Sequence, residues 1–296
     1  MYNLEKSLLY SNSSSNPPTL TSMTIHQKGI LACGGMDGTL VVISGPSGRS
    51  KKVLKGHTGL ISDVRLLGEG RRLLSTSWDC STRLWSLGKE NREPRIMNHN
   101  TEVKSLAIGK HGVKGASGAR DGEVKVFSLK TMTCTRNLQA HDSDVSGLFF
   151  SSDGSKLIST SWAGCTNVWD LTSYELIRTI KGPKVRVRSV CPLPDDSFLM
   201  GLHDGTIMRI SLEDGNKIAE YKKHIDIVSS MMVDPSETRI LSGSWDRTAR
   251  IWNIDSGKEE MNISIPTGIS GVCWHPKNKG FYTSDFSGSL YSWSFD

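Results

Sequence analysis

Apolar and polar positions alternate in short runs along most of this chain, and small polar or glycine-rich clusters interrupt them. Leu60-Ile61-Ser62-Asp63-Val64-Arg65-Leu66 alternates, Gly68-Glu69-Gly70 breaks the run, and Arg72 to Ser77 resumes it. Asp79 then falls in a tight break before Ser81 to Ser86. Period-2 patterning bounded by Gly, Asp and Ser predicts strands joined by hairpins. A less regular run, such as Glu175 to Ile180, predicts a fourth strand that leads into the next unit.

The pattern recurs with one period. Leu73-Leu-Ser-Thr-Ser-Trp-Asp79 with Trp85 and Leu241-Ser-Gly-Ser-Trp-Asp246 with Trp252 are the clearest copies. Asp121 with Phe127, and Ala163 with Trp169, lie between them; Asp37, Asp204 and Ser287 mark weaker copies. The equivalent positions are 37, 79, 121, 163, 204, 246 and 287, in steps of 42, 42, 42, 41, 42 and 41. Such a period, with Trp six residues after Asp, predicts a β-propeller blade. The expected class is all-β: a single seven-bladed propeller over residues 1–296, since no one small sheet can bury both its faces alone. The seventh unit lacks a fourth strand after its third. Leu4 to Tyr10 has the apolar content to supply it, so residues 1–10 are expected to close blade seven against residues near 289–295. Residues 11–18, rich in Ser, Asn and Pro, are expected to form a polar loop.

Composition narrows the class. The net charge of +6 over 296 residues permits an acidic partner without demanding one. Six scattered cysteines without a C-x-x-C pair predict free thiols and no metal site. No run reaches membrane-spanning length and the first residues lack a signal-peptide pattern. The expected location is therefore intracellular, cytoplasmic or nuclear.

Gly-His, an apolar strand, Ser-x-Ser-x-Asp and Trp, repeated in register, resemble the WD40 repeat over essentially the whole chain. That resemblance implies a hydrogen-bonded tetrad inside a blade: His57, Ser75, Asp79 and Trp85 in unit two, and His224, Ser242, Asp246 and Trp252 in unit six. Unit three keeps His99, Ser117 and Asp121 but has Phe127. Unit four keeps His141, Ser159 and Trp169 but has Ala163, so water or a rotated His141 is expected there. Ile43, Ile210, Ser287 and Pro183 predict that units one, five and seven are held by apolar packing.

The recurring Ser, His and Asp are not a catalytic triad. A catalytic constellation occurs once beside a pocket, whereas this trio recurs with a structural role in each copy. G-x-S-x-G, H-E-x-x-H, phosphate-loop and dinucleotide signatures are all absent. The sequence thus predicts a non-enzyme with no cofactor, no catalytic residue and no small-molecule substrate.

The resemblance also implies that the residue before each turn Asp lies on the face carrying the channel mouth: Met36, Trp78, Arg120, Trp162, His203, Trp245 and Phe286. Aromatic residues and Arg in such a ring are enriched at interaction hot spots. Three basic connections, at Lys51-Lys52-Lys55, Lys181-Lys184-Arg186-Arg188 and Lys222-Lys223-His224, are expected on the same face. Alternation of Lys184, Arg186 and Arg188 with Val185 and Val187 predicts one face of an inner strand near the channel. The expected function is a non-catalytic scaffold whose rim and channel mouth bind other proteins or peptides within a larger intracellular assembly. A reader of a modified or cationic peptide, using the tryptophans, is the first alternative. An RNA- or ribonucleoprotein-associated propeller is the second. No membrane partner is expected.

Overall fold

The computed structural model describes residues 4–10, 19–44, 50–88, 92–277 and 279–295. Among them, twenty-eight strands form seven four-stranded antiparallel sheets, and no helix is long and apolar enough to cross a membrane. Inner strands open the blades at Leu20–Ile25, Ile61–Leu67, Val103–Ile108, Val145–Phe150, Val187–Pro192, Val228–Val233 and Ile269–Trp274. Each neighbours the next, and the last neighbours the first, so the ring is closed. The chain folds as the seven-bladed β-propeller its period predicts.

Closure follows the sequence expectation. The strand Leu4–Tyr10 pairs antiparallel with Leu290–Phe295, from Leu4 opposite Phe295 to Tyr10 opposite Leu290. It is the outermost strand of blade seven. Residues 1–3 of the expected closing segment and the polar loop expected at 11–18 lie outside the described residues.

The core lies between blades. Leu67, Leu74 and Leu84 of blade two pack with Leu106, Phe127 and Leu129 of blade three. Phe149, Ile158 and Val168 of blade four pack with Phe198, Met200 and Ile210 of blade five. Fully burying a side chain of this kind stabilises by about 1.5–3 kcal/mol, which is why stacked blades hold without staples. All six cysteines are free.

Two backbone devices repeat seven times. After each turn position comes a left-handed residue: Gly38, Cys80, Gly122, Gly164, Gly205, Arg247 and Gly288, with φ between 64° and 89°. This explains the Asp-Gly signature, because glycine adopts that conformation without a Cβ penalty. Each inner strand also carries a bulge at its second residue: Thr21, Ser62, Lys104, Ser146, Arg188, Ser229 and Ser270 are skipped by the pairing register. A bulge re-aims its side chain, here toward the channel that all seven line.

Candidate interaction face and channel

The tetrads form where the resemblance places them. In blade two the Trp85 indole donates to Ser75 Oγ (2.8 Å), Ser75 meets His57 Nε2 (2.7 Å), and His57 Nδ1 meets Asp79 Oδ2 (2.7 Å). Blade six repeats the chain through Trp252, Ser242, His224 and Asp246 at 2.8 Å in each step. A hydroxyl two residues after the Asp pins its second oxygen: Ser81 to Asp79 and Thr248 to Asp246, both 2.6 Å. Burial opposes ionisation of Asp79, but hydrogen bonds from Ser81 and His57 outweigh it and hold the carboxyl below its usual range. Burial lowers His57, with the bond to Asp79 opposing it.

The incomplete blades differ from expectation in particular ways. In blade three Asp121 does not reach His99; it is exposed and accepts the Glu123 backbone N–H. The pinning hydroxyl is replaced by Glu123, whose buried carboxylate lies 4.0 Å from His99 Nδ1. A second carboxylate cannot share that space, so Asp121 turns outward. Burial then lowers His99 to about 4. In blade four His141 is not rotated: its Nε2 still meets Ser159 Oγ (2.9 Å), and Trp169 donates to the same hydroxyl (3.1 Å). Blade seven keeps more than apolar packing, because Trp293 donates to Thr283 Oγ1 at 3.0 Å.

The residue before each turn position holds one place in the fold. Its N–H donates to the carbonyl just ahead of the same blade's inner strand: Met36 to Thr19, Trp78 to Leu60, Arg120 to Glu102, Trp162 to Asp144, His203 to Arg186, Trp245 to Ile227 and Phe286 to Gly268, at 2.7–3.1 Å. Seven equivalent bonds put seven side chains on one face. They are not seven equivalent surfaces. Lys104 lies 3.9 Å over the Trp78 ring, Trp162 lies tilted against His203 with ring centres 5.5 Å apart and Arg186 beside it, and Trp245 meets Phe286 edge-on at 5.3 Å. Arg120 pairs with Glu102 at 2.8 Å.

The face divides into two sectors. Blades six, seven, one and two present Trp245, Phe286, Met36 and Trp78, joined by Ile225, which is 87% exposed beside the blade-six turn. Blades three to five present Arg120, Trp162 and His203 with Lys184 and Arg186. Of the three basic connections, the third departs most from expectation. Lys222 and Lys223 pair with Glu220 (2.9 Å) and Glu259 (3.8 Å), and His224 is buried in its tetrad. Lys51 and Lys52 lie in the outer strand Ser50–Leu54 rather than in a connection, with Lys51 over the Tyr10 ring. Lys184 and Arg186 precede the inner strand Val187–Pro192, and only Arg188 belongs to it, so the three do not share a strand face.

Sequence reading placed Arg188 near the channel but missed Asp63, Arg65 and Lys104 in its lining. A cavity of about 470 Å³ is lined by the inner strands, including Asp63, Arg65, Lys104 and Arg188. The available signal was a hydroxyl at the second position of five inner strands, with Lys104 and Arg188 in the same register.

The family model described as WD domain, G-beta repeat matches residues 48–86, 132–170, 174–208 and 215–253, together just over half the chain. Similar proteins include pre-mRNA-processing factor 19 homolog 2 of Arabidopsis thaliana, 24% identical over 84% of this chain and 48% of its own length. Nuclear distribution protein PAC1 of Arthroderma otae is 23% identical over 94% of this chain and 59% of its own. The guanine nucleotide-binding protein beta subunit of Saccharomyces cerevisiae is 23% identical over 68% and 58%. This chain thus spans about half the length of these relatives. Four matched repeats, seven sheets in a closed ring and two complete tetrads lead to one statement: the chain belongs to the WD40 repeat family.

Proposed function

We propose that the protein is a non-catalytic scaffold that presents its channel face to other proteins inside the cell, in the cytoplasm or nucleus. The observation that carries this reading is the divided face: an exposed apolar sector from Ile225 through Trp245 and Met36 to Trp78, beside a cationic sector at Lys184 and Arg186. Exposed aromatic and apolar residues beside charge complement a partner that is itself partly apolar and partly acidic. The test is native purification of the endogenous protein with identification of its stoichiometric companions. Ile225→Asp and Trp245→Ala should release a companion that Ile177→Ser, on the outer strand Leu176–Ile180, retains. Recovery of a persistent monomer would overturn the reading.

Capture of a cationic group by the tryptophans is supported less well. The Trp78 face is already covered by Lys104, and Arg186 lies over Trp162. A ribonucleoprotein role is the second reading, favoured by Lys184 and Arg186, which make no ion pair among the described residues. It requires an affinity for RNA that falls steeply with salt, and a flat dependence removes it.

A further inference from the structure

Lys104 and Arg188 occupy a bulge position that the other five blades give to a hydroxyl. In blades one, two and six that hydroxyl stitches the ring. Thr21 donates to the carbonyl of Ile61, Ser62 to that of Val103 (2.6 Å), and Ser229 to that of Ile269 (2.6 Å). In blades three and five the next residue makes the same bond: Ser105 to Val145 and Ser189 to Val228, both 2.8 Å. The stitch is kept one place along, and the bulge residue has no part in it. At both places the residue is a cation lining the channel.

The channel near these cations is short of negative charge. Asp63 is already engaged by Arg65 (2.5 Å) and by the N–H groups of Val64 and Leu106. Lys104 has Asp144 at 3.8 Å, while Arg188 makes no ion pair among the described residues. Arg65, Lys104 and Arg188 against Asp63 and Asp144 leave one positive charge in surplus. Burial lowers Lys104 against Asp144 and Glu102, which raise it, while Arg120 and Arg188 add smaller lowering effects. Above them, the Trp162 indole N–H and His203 Nε2 are buried without a hydrogen-bond partner. Arg188 feels the charge of Asp63, which Arg65 already engages, and a further carboxylate matches the fork of its guanidinium.

We propose that the channel mouth at blades three to five is an anion site that takes a carboxylate side chain from an acidic segment of a partner protein, held by Arg188 and Lys104. The surplus of one charge suits a carboxylate better than a dianionic phosphate. Arg186, at the entrance over Trp162, steers the acidic segment inward. The site rests on the scaffold reading for the source of that segment.

Fluorescence anisotropy with labelled hexaglutamate, hexaglutamine and a six-nucleotide uridine RNA tests it. Hexaglutamate binds and hexaglutamine does not. Arg188→Ser weakens hexaglutamate at least tenfold, and Lys104→Ser weakens it severalfold, as expected for loss of a charge-assisted hydrogen bond. Arg188→Ser also melts at least about 2 °C higher, because it installs the residue type that four other blades use and removes one of two cations that share Asp63. Equal binding of the two peptides, hexaglutamate affinity unchanged by Arg188→Ser, tighter binding of the RNA, or a lower melting temperature in Arg188→Ser would each overturn the site. A native companion that survives both substitutions removes the anion site and leaves the scaffold. Absence of any companion removes the scaffold reading, while the peptide titration still decides the site.

Discussion

In blade two, His57, Ser75, Asp79 and Trp85 form one buried hydrogen-bonded chain; in blade five, Pro183, Met200 and Ile210 stand at three of those four places. Met200 is fully buried and Ile210 nearly so, packed with Phe198 and Val187. Both blades have the same four strands, the same bulge and the same left-handed turn residue. The tetrad is therefore one of two ways to fill the blade, and backbone geometry is what all seven share. A polar chain needs every member present, whereas apolar side chains tolerate partial change. Blade two carries a small hydroxyl in the channel and blade five carries Arg188.

The contrast is broken most severely by giving one blade a fragment of the other. Met200→Ser puts a buried hydroxyl in blade five without His or Trp partners and leaves a cavity. It should cost about 3–5 kcal/mol in denaturant unfolding. Ser75→Ala, which strands the Trp85 indole and His57 Nε2, should cost about 1–3 kcal/mol. Equal losses would show that the two fillings do not differ as described.

Acid acts on the tetrad histidines, which blade five lacks. Folded His99 accepts a proton only near pH 4, whereas an unfolded histidine does so near pH 6.5. Between those values the unfolded chain binds more protons, so stability falls as pH is lowered, by on the order of 3 kcal/mol from this group. His99→Gln should remove that part of the slope between pH 6.5 and pH 4 in unfolding midpoints. Blade five has Pro183 at the tetrad histidine place, and its own His203, on the face, is lowered by burial and by Arg188 and Arg186.

The smallest effect sharpens the comparison at the turn. Cys80 adopts φ 64° where blade five has Gly205 at φ 85°. Cys80→Gly should stabilise by about 0.5 kcal/mol, the left-handed penalty less the added freedom of the unfolded chain. Gly205→Ala should do the reverse and more, since its Cβ would fall 2.3 Å from the His224 carbonyl oxygen. Melting temperatures of the pair check both signs.

Architecture was legible because the turn Asp, its left-handed successor and the indole recur at fixed spacing, each imposed by hairpin geometry. The closing strand was legible because one blade lacked a partner and Leu4 to Tyr10 had the right content. The channel lining beyond Arg188 was not. Strict period-2 alternation puts Ser62 and Asp63 on opposite faces, and the bulge shifts that parity at one residue per blade. The outward turn of Asp121 was hidden because the side chain responsible, Glu123, lies two positions beyond the motif. The ring on the face was located by motif, yet its division into apolar and cationic sectors depends on which neighbour each side chain leans against.

The pairing of Leu4–Tyr10 with Leu290–Phe295 also has a consequence in time. On a ribosome adding about 5–20 residues per second, the first strand emerges roughly 15–60 s before its partner. Throughout that interval its hydrogen-bonding edge and the half-exposed Leu8 have no native companion. Six blades can stack as they are made, but the seventh waits for Leu290–Phe295 to meet Leu4–Tyr10. The ring is thus sealed by two strands far apart in sequence, and the nascent chain is most open to mispairing at Leu4–Tyr10.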